Sequence, residues 1–219
     1  MRVNLLRTVI LCGVTLSLVS CSGGAGGGGT ATSPEERKDG SKFLKAAYEL
    51  RSANKFPESF VEINKAVEAD KNNYYAWQLR GDINHVMNKT EDAIEDMAKA
   101  IALKPDEAGL YYTKAQYEGD VRKFDAALED AKKAVQLDPK NLDYLYMRGS
   151  GYAIAQEYKK AIADATAVIS ADPKNQRAYR LRAVCYLKIG QKAKSAADDR
   201  EYQRLAASSA RVIPVNGMQ

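Results

Sequence analysis

Asp82 and His85 are the first residues whose types and spacing could support chemistry, because side chains three positions apart on a predicted helix share one face. A carboxylate and an imidazole could begin a metal site or an acid–base pair. Either task needs a third ligand or a nucleophile, and the sequence places none at a suitable spacing. We therefore predict no metal site, no cofactor, no small-molecule substrate and no enzymatic activity. The pair is interpreted as solvated or as lining a groove.

The three cysteines, Cys12, Cys21 and Cys185, are the other candidates for chemistry. They are odd in number and form no closely spaced pair, which argues against a disulfide framework or a zinc cluster. Cys185 follows Ala183 and Val184 in a predicted helix, where we expect it to act as a small buried hydrophobic residue. Cys21 directly follows an apolar run and needs a different explanation.

Residues 1–20 have the pattern of a secretory signal peptide. Arg2 and Arg7 make its start positive, residues 8–19 are mostly apolar, and small residues follow. The apolar stretch is shorter than the roughly 20 residues that a membrane-spanning helix needs, so a retained transmembrane anchor is the poorer interpretation. The chain is therefore predicted to be exported.

Residues 18–21, Leu-Val-Ser-Cys, resemble the lipobox of bacterial lipoproteins. The resemblance implies that Cys21 becomes the first residue of the mature chain and carries diacylglyceryl and N-acyl groups. Two or more acyl chains attach a protein stably to a membrane. Ser22 resembles the residue found in lipoproteins sorted to the outer membrane, so we expect the periplasmic face of that membrane. The alternative is a coincidental cysteine after an ordinary secretion signal.

Residues 21–39 are predicted to form the lipidated cysteine and a flexible linker. Residues 22–33 are rich in glycine and would reach roughly 20 Å. A phosphate-binding loop is the rival interpretation, but no strand precedes the glycines and no Gly-Lys-Ser/Thr follows them. Residues 33–36, Ser-Pro-Glu-Glu, have the pattern of a helix start and predict an extra turn before the part that follows.

The charge of the chain is modest and interspersed. Its net charge is +5 and falls to about +3 without residues 1–20. A nucleic-acid binder would show clustered positive charge, which is missing here. We therefore predict no nucleic-acid partner.

A repeat is the main feature of the remaining sequence. Pro105, Pro139 and Pro173 recur every 34 residues, and each ends a similar phrase, such as Ala-Val-Gln-Leu-Asp-Pro at 134–139. A fixed period of this length predicts a repeat array. The five units are 40–73, 74–107, 108–141, 142–175 and 176–209.

The units share bulky residues at their fourth position and small residues at their eighth. The bulky residues are Phe43, Trp77, Tyr111, Leu145 and Tyr179, and the small ones are Ala47, Gly81, Ala115, Gly149 and Ala183. These residues resemble the tetratricopeptide repeat (TPR), to which unit 142–175 is similar at nearly every defining site. The resemblance implies an all-α solenoid of about five helix-turn-helix repeats, a right-handed superhelix, and a groove lined by the first helices.

The last unit departs from this pattern. Asp199 and Gln203 occupy positions that are apolar in the other units. A solenoid needs a solvated face at its end, so we expect the array to stop near residue 209, with residues 210–219 as a tail.

Basic and acidic residues recur at the seventh and twenty-third positions of four units. The pairs are Arg80 with Asp96, Lys114 with Asp130, Arg148 with Asp164, and Arg182 with Asp198. We predict ion pairs between packed helices that set helix register, with ligand binding as the alternative. Losing one partner of such a pair is costly when the other stays desolvated.

The family resemblance also implies which residues line the groove. They are Tyr48, Tyr75, His85, Tyr112, Tyr146, Met147, Arg177, Arg180 and Leu187. Tyrosine has a large apolar face and a polar tip, which suits recognition of a peptide or helix. The alternative is that several of the tyrosines pack between neighbouring repeats. One TPR subfamily grips C-terminal carboxylates, but at the matching positions only Arg177 has a suitable charge.

Together these features predict a membrane-anchored scaffold or adaptor of the bacterial cell envelope that binds a protein partner in its groove. The layout resembles that of repeat lipoproteins that help to assemble pili, secretion pores or outer-membrane machinery. The alternatives are a regulator of peptidoglycan enzymes and a self-associating structural protein.

Overall fold

The computed structural model describes residues 34–210, and every regular element in that range is an α-helix. The helices are α1 (Pro34–Ser52), α2 (Phe56–Ala69), α3 (Tyr74–Val86), α4 (Thr90–Leu103), α5 (Ala108–Asp120), α6 (Phe124–Leu137), α7 (Leu142–Ile154), α8 (Tyr158–Ala171), α9 (Gln176–Lys188) and α10 (Lys192–Ala210). The all-α prediction is confirmed. The predicted signal peptide, Cys21 and residues 211–219 lie outside the described residues.

The helices belong to two compact units. The N-terminal unit contains α1–α5 and the C-terminal unit contains α6–α10. Within each unit, helices that follow one another in the chain pack together, for example α1 with α2 and α9 with α10. Such sequential packing gives each unit a core built from local helix pairs.

The first helix is longer than the repeat period predicts. It begins at Pro34, so residues 34–39, assigned above to the linker, are helical. Proline suits the first turn of a helix because that turn does not use its N–H groups within the helix. Gly40, taken as the start of the first repeat, lies inside α1, where an added Cβ would lie 3.4 Å from Cβ of Ala69. This glycine therefore marks a close approach of α1 to α2.

Each repeat turns between its two helices at a residue with positive φ. These residues are Asn54, Asn88, Arg122, Gln156 and Gly190, with φ between 59° and 79°. The next residue donates its N–H back across the turn, as Lys89 does to the carbonyl of Asn84 at 2.8 Å. This bond is the mark of a Schellman cap, which ends a helix and reverses the chain.

The turns between repeats depend on two side chains. At three junctions an aspartate accepts the N–H two residues on, as Asp138 does from Lys140 at 3.2 Å. The asparagine that follows caps the next helix, as Asn141 does by accepting from the N–H of Asp143 at 3.0 Å. The remaining junction has Glu107 at the cap position and no side-chain cap. Its helix start is therefore the least satisfied of the four.

Small residues let paired helices approach closely. A Cβ added to Gly81 would lie 3.2 Å from the carbonyl oxygen of Ala93, and one added to Gly149 would lie 3.1 Å from Cβ of Asp164. The cores are mainly aliphatic, with Ile63 and Ile83 fully buried in the N-terminal unit. Cys185 is fully buried in the core of the C-terminal unit.

Candidate partner-binding surfaces

Three of the paired charges lie inside the repeats and are bidentate. Arg80 donates to both carboxylate oxygens of Asp96 at 3.0 and 2.6 Å. Arg148 does the same to Asp164, and Arg182 to Asp198, at distances of 2.6 to 2.9 Å. These hydrogen bonds join the first helix of a repeat to the second, and they raise the pKa of Arg148 and Arg182. The three aspartates are buried, so these pairs present little surface to a partner.

Additional polar groups complete the environment of these pairs. Asn84 donates to Asp96 at 2.9 Å, and Arg182 donates to the hydroxyl of Thr166 at 3.1 Å.

The fourth predicted pair joins Lys114 to Asp130. Lys114 donates to Glu118 in the same helix at 2.6 Å. Asp130 lies in the C-terminal unit.

A polar chain connects α1, α3 and α5 across the N-terminal unit. Arg51 lies 3.4 Å from the carboxylate of Asp82, which accepts a hydrogen bond from the hydroxyl of Tyr117 at 2.8 Å. Burial raises the pKa of the Asp82 carboxyl and of the Tyr117 phenol, although Arg51 opposes both shifts. These polar contacts link α1, α3 and α5, which are the first helices of the first three repeats.

His85 belongs to the same surface but does not share a ligand with Asp82. Its ring stacks on Tyr117 with centroids 4.2 Å apart, and its Nε2 lies 2.8 Å from an oxygen of Asp120. Each member of the Asp82–His85 pair therefore contacts the next first helix. Within residues 34–210 no group of three or more His, Cys, Asp or Glu side chains could hold a metal ion.

Large apolar side chains are exposed beside this polar chain. Tyr48 on α1 is 42% exposed, and Tyr75 and Val86 on α3 are 38% and 46% exposed. The ring of Tyr75 packs against the ring of Tyr74 at a centroid distance of 3.9 Å. Tyr112 on α5 is half-buried and accepts a hydrogen bond from Gln116 at 3.1 Å. Tyr48 and Tyr75 are thus the predicted groove tyrosines that a partner can reach most readily.

The predicted groove residues of the C-terminal unit are arranged differently. Tyr146 packs against two core clusters, and burial raises its pKa. Met147 is half-buried. Arg177 lies over the ring of Tyr146 at 4.8 Å and donates to Asp143 at 2.9 Å. Tyr146 is therefore mainly a packing residue, whereas the guanidinium above it is accessible.

Arg180 and Leu187 are exposed on α9. Arg180 donates to the hydroxyl of Tyr202 at 3.3 Å and lies 5.5 Å from the centre of its ring. Leu187 is 55% exposed, the largest value among the large hydrophobic residues of the described chain. Both lie on the first helix of the last repeat that the structure describes.

Several residues of these surfaces are not among those predicted from the sequence. Arg51, Tyr117, Asp120 and Tyr202 each contact a predicted residue from a neighbouring helix. Two of these contacts join residues 35 positions apart, Asp82 with Tyr117 and His85 with Asp120. A search at one repeat period plus one residue could therefore have identified Tyr117 and Asp120 from the sequence.

None of the described helices is both long enough and apolar enough to cross a membrane. The acylation predicted at Cys21 lies outside the described residues and stays a prediction.

Models of the tetratricopeptide repeat match residues 74–107, 112–175 and 155–210, which together make up more than half of the chain. No curated protein matches the sequence at a significant level.

Several solved structures share the fold. The chain is similar to the MamA protein, with 21% identity and a TM-score of 0.73 over 83% of this chain and 99% of that one. It is also similar to YrrB, described as a TPR protein with an unusual peptide-binding site, with 19% identity and a TM-score of 0.71 over 82% of this chain and 94% of that one. PilW, described as a widely conserved type IV pilus biogenesis factor, has 20% identity and a TM-score of 0.65 over 77% of this chain and 78% of PilW.

Proposed function

Because the chain belongs to the tetratricopeptide repeat family, we propose that it is a non-catalytic scaffold that binds a segment of another protein along its first helices. The observation that carries this proposal is the exposure of Tyr48, Tyr75 and Val86 beside the ordered polar chain of the N-terminal unit. Exposed aromatic and aliphatic side chains on a rigid surface supply contact area at low entropic cost. The peptide-binding site described for YrrB supports a binding role for such a fold.

The finer part of the proposal concerns location. We propose that Cys21 is acylated and that the repeats act in the cell envelope, at the periplasmic face of the outer membrane. The apolar run at residues 8–19 followed by Leu-Val-Ser-Cys supports this location. Assembly of a pilus, secretion or outer-membrane complex is the proposed role, and the similarity to PilW supports it at the level of fold.

Site-specific photo-crosslinking tests the binding surface. A photoreactive amino acid replaces Tyr48 or Tyr75 on the proposed surface, or Val61 as a control. Val61 is 53% exposed on α2, a second helix, so it is equally reachable but not part of the surface. We expect one protein to crosslink at positions 48 and 75 and not at 61. The same products at all three positions would refute the proposed surface.

The purified crosslinked protein then provides a direct binding assay. A Tyr48→Ala, Tyr75→Ala double variant should lose affinity for it, whereas Val61→Ala should not. Both variants remove exposed side chains and should leave the helical content unchanged by circular dichroism. Unchanged affinity in the double variant would contradict the proposal.

The anchor has its own test. Cells that express the wild-type chain or Cys21→Ser are given a clickable palmitate analogue and then fractionated. We expect only the wild-type chain to carry the label and to appear in the membrane fraction. Label on the Cys21→Ser variant, or its retention in the membrane, would refute acylation at this residue.

A further inference from the structure

Positive charge is concentrated in the last repeat. Residues 176–210 carry eight Lys and Arg against three Asp and Glu, whereas residues 34–123 carry 15 against 17. Helix α9 contains four of these basic residues and no acidic one. The excess belongs to one element and is not a general property of the chain.

The basic residues of α9 lie on two sides of the helix. Arg182 faces α10, where it donates two hydrogen bonds to the carboxylate of the buried Asp198. The other three, with two aliphatic residues, recur at spacings of three and four and so share one side. This α9 stripe consists of Arg177, Arg180, Val184, Leu187 and Lys188.

Aromatic rings hold the two arginines of the stripe in place. Arg180 lies against the ring of Tyr202 and donates to its hydroxyl, and none of its contacts within the described chain is a carboxylate. Arg177 lies over Tyr146 and donates to Asp143, and both members of this ion pair are exposed, at 46% and 59%. An exposed pair of this kind contributes little to stability and exchanges readily for another carboxylate. A guanidinium supported on a ring loses less freedom on binding a partner.

We propose that the α9 stripe binds an acidic segment of the partner protein, with carboxylates on Arg177 and Arg180 and an aliphatic side chain on Leu187. Arginine suits this role because its planar fork of donors matches a carboxylate. The 55% exposed Leu187 supplies apolar contact on the same side of the helix. This inference rests on the proposed function and adds the chemistry of the partner.

Charge complementarity selects this occupant over the nearest alternative from the chain itself. Residues 211–219, which lie outside the described part, contain Arg211 and no acidic residue. Such a segment has no carboxylate side chain, whereas the stripe offers two arginines that each fit one. A second copy of the chain is the remaining alternative and is separated by the experiment.

The experiment measures fluorescence anisotropy of a labelled peptide rich in Glu and Leu, titrated with the full chain in detergent. The matched peptide has each Glu replaced by Gln. The test variant is Arg177→Gln, Arg180→Gln. The control variant is Arg200→Gln, Arg204→Gln, which removes the same charge from exposed positions on α10.

We expect the acidic peptide to bind more tightly than its Gln counterpart, and to bind less tightly as salt is raised. The test variant should lose about tenfold in affinity, since two exposed ion pairs are lost, while the control variant should change by less than about twofold. Equal binding of the two peptides, or equal losses in the two variants, would overturn the proposal.

Two further measurements identify other occupants. Arginine-dependent binding to vesicles containing phosphatidylglycerol, without binding of the acidic peptide, would assign the stripe to lipid and refute a protein segment. A dimer in light scattering that the test variant abolishes would assign it to a second copy and refute an external partner. Crosslinking at positions 48 and 75 does not depend on α9, so its failure would count against the proposed function and not against the stripe alone.

Discussion

Replacing Arg148 by Met should destabilise the chain because it leaves a buried carboxylate without its cation. Asp164 is 6% exposed and accepts two hydrogen bonds from Arg148, at 2.9 and 2.6 Å. Methionine keeps much of the aliphatic length of the side chain but donates nothing. The carboxylate must then stay desolvated or distort the packing to reach water.

The expected loss in the free energy of unfolding follows from the burial of Asp164. Removing one partner of a buried ion pair costs about 3–5 kcal/mol, most of which is the penalty of the charge left behind. Arg204 and Glu201 make a comparable multidentate pair within α10, but the Arg204 side chain is 64% exposed. Removal of Arg204 should therefore have little or no effect, because water replaces the lost hydrogen bonds.

Urea denaturation followed by circular dichroism measures both effects. We compare the single variants Arg148→Met, Asp164→Leu and Arg204→Met with the double variant Arg148→Met, Asp164→Leu. The double variant removes the stranded charge and should be no less stable than Arg148→Met alone. The reasoning is refuted if Arg148→Met costs no more than Arg204→Met, or if the losses from Arg148→Met and Asp164→Leu simply add.

Four smaller predictions concern the turns and the buried thiol. Glu107→Asn should supply the missing helix cap and stabilise the chain by about 0.5–1 kcal/mol, and Asn73→Ala should cost a similar amount, both measured by thermal melting. Gly190→Ala should cost about 1 kcal/mol because φ is 79°, although the added Cβ meets nothing within 4 Å; an unchanged melting temperature would refute the backbone explanation. Burial raises the pKa of the Cys185 thiol to about 12, so at pH 8 it should stay unmodified by a maleimide until urea unfolds the chain, and peptide mass spectrometry would reveal early labelling.

The helical fold could be predicted from the sequence because its signals are local and repeated. Proline ends the phrase that precedes three of the four junctions, and the asparagines at 73, 141 and 175 cap the helices that follow. The repeat period places the start of the first unit at Gly40, which occupies a helix–helix contact inside α1 instead of a turn. The earlier start of α1 is indicated only by the Ser-Pro-Glu-Glu pattern at residues 33–36. A glycine in the sequence does not show which of these two roles it has.

The binding surfaces were only partly predictable. Tyr75 and Tyr146 were both expected in the groove, yet Tyr75 is 38% exposed while Tyr146 packs against two core clusters. The chain from Arg51 through Asp82 to Tyr117 depends on which sides of three helices face one another. Residue type and spacing do not contain that information.

The sequence by itself therefore determined the repeat length, the helix pairs and the charges available to each repeat. These features follow from hydrogen bonds and periodicities within a few turns of the chain. The tertiary structure alone decided which tyrosines reach solvent, which aspartates are buried, and that Arg177 and Arg180 share an exposed stripe with Leu187. Burial is a property of packed neighbours, so it appears only when the helices are assembled.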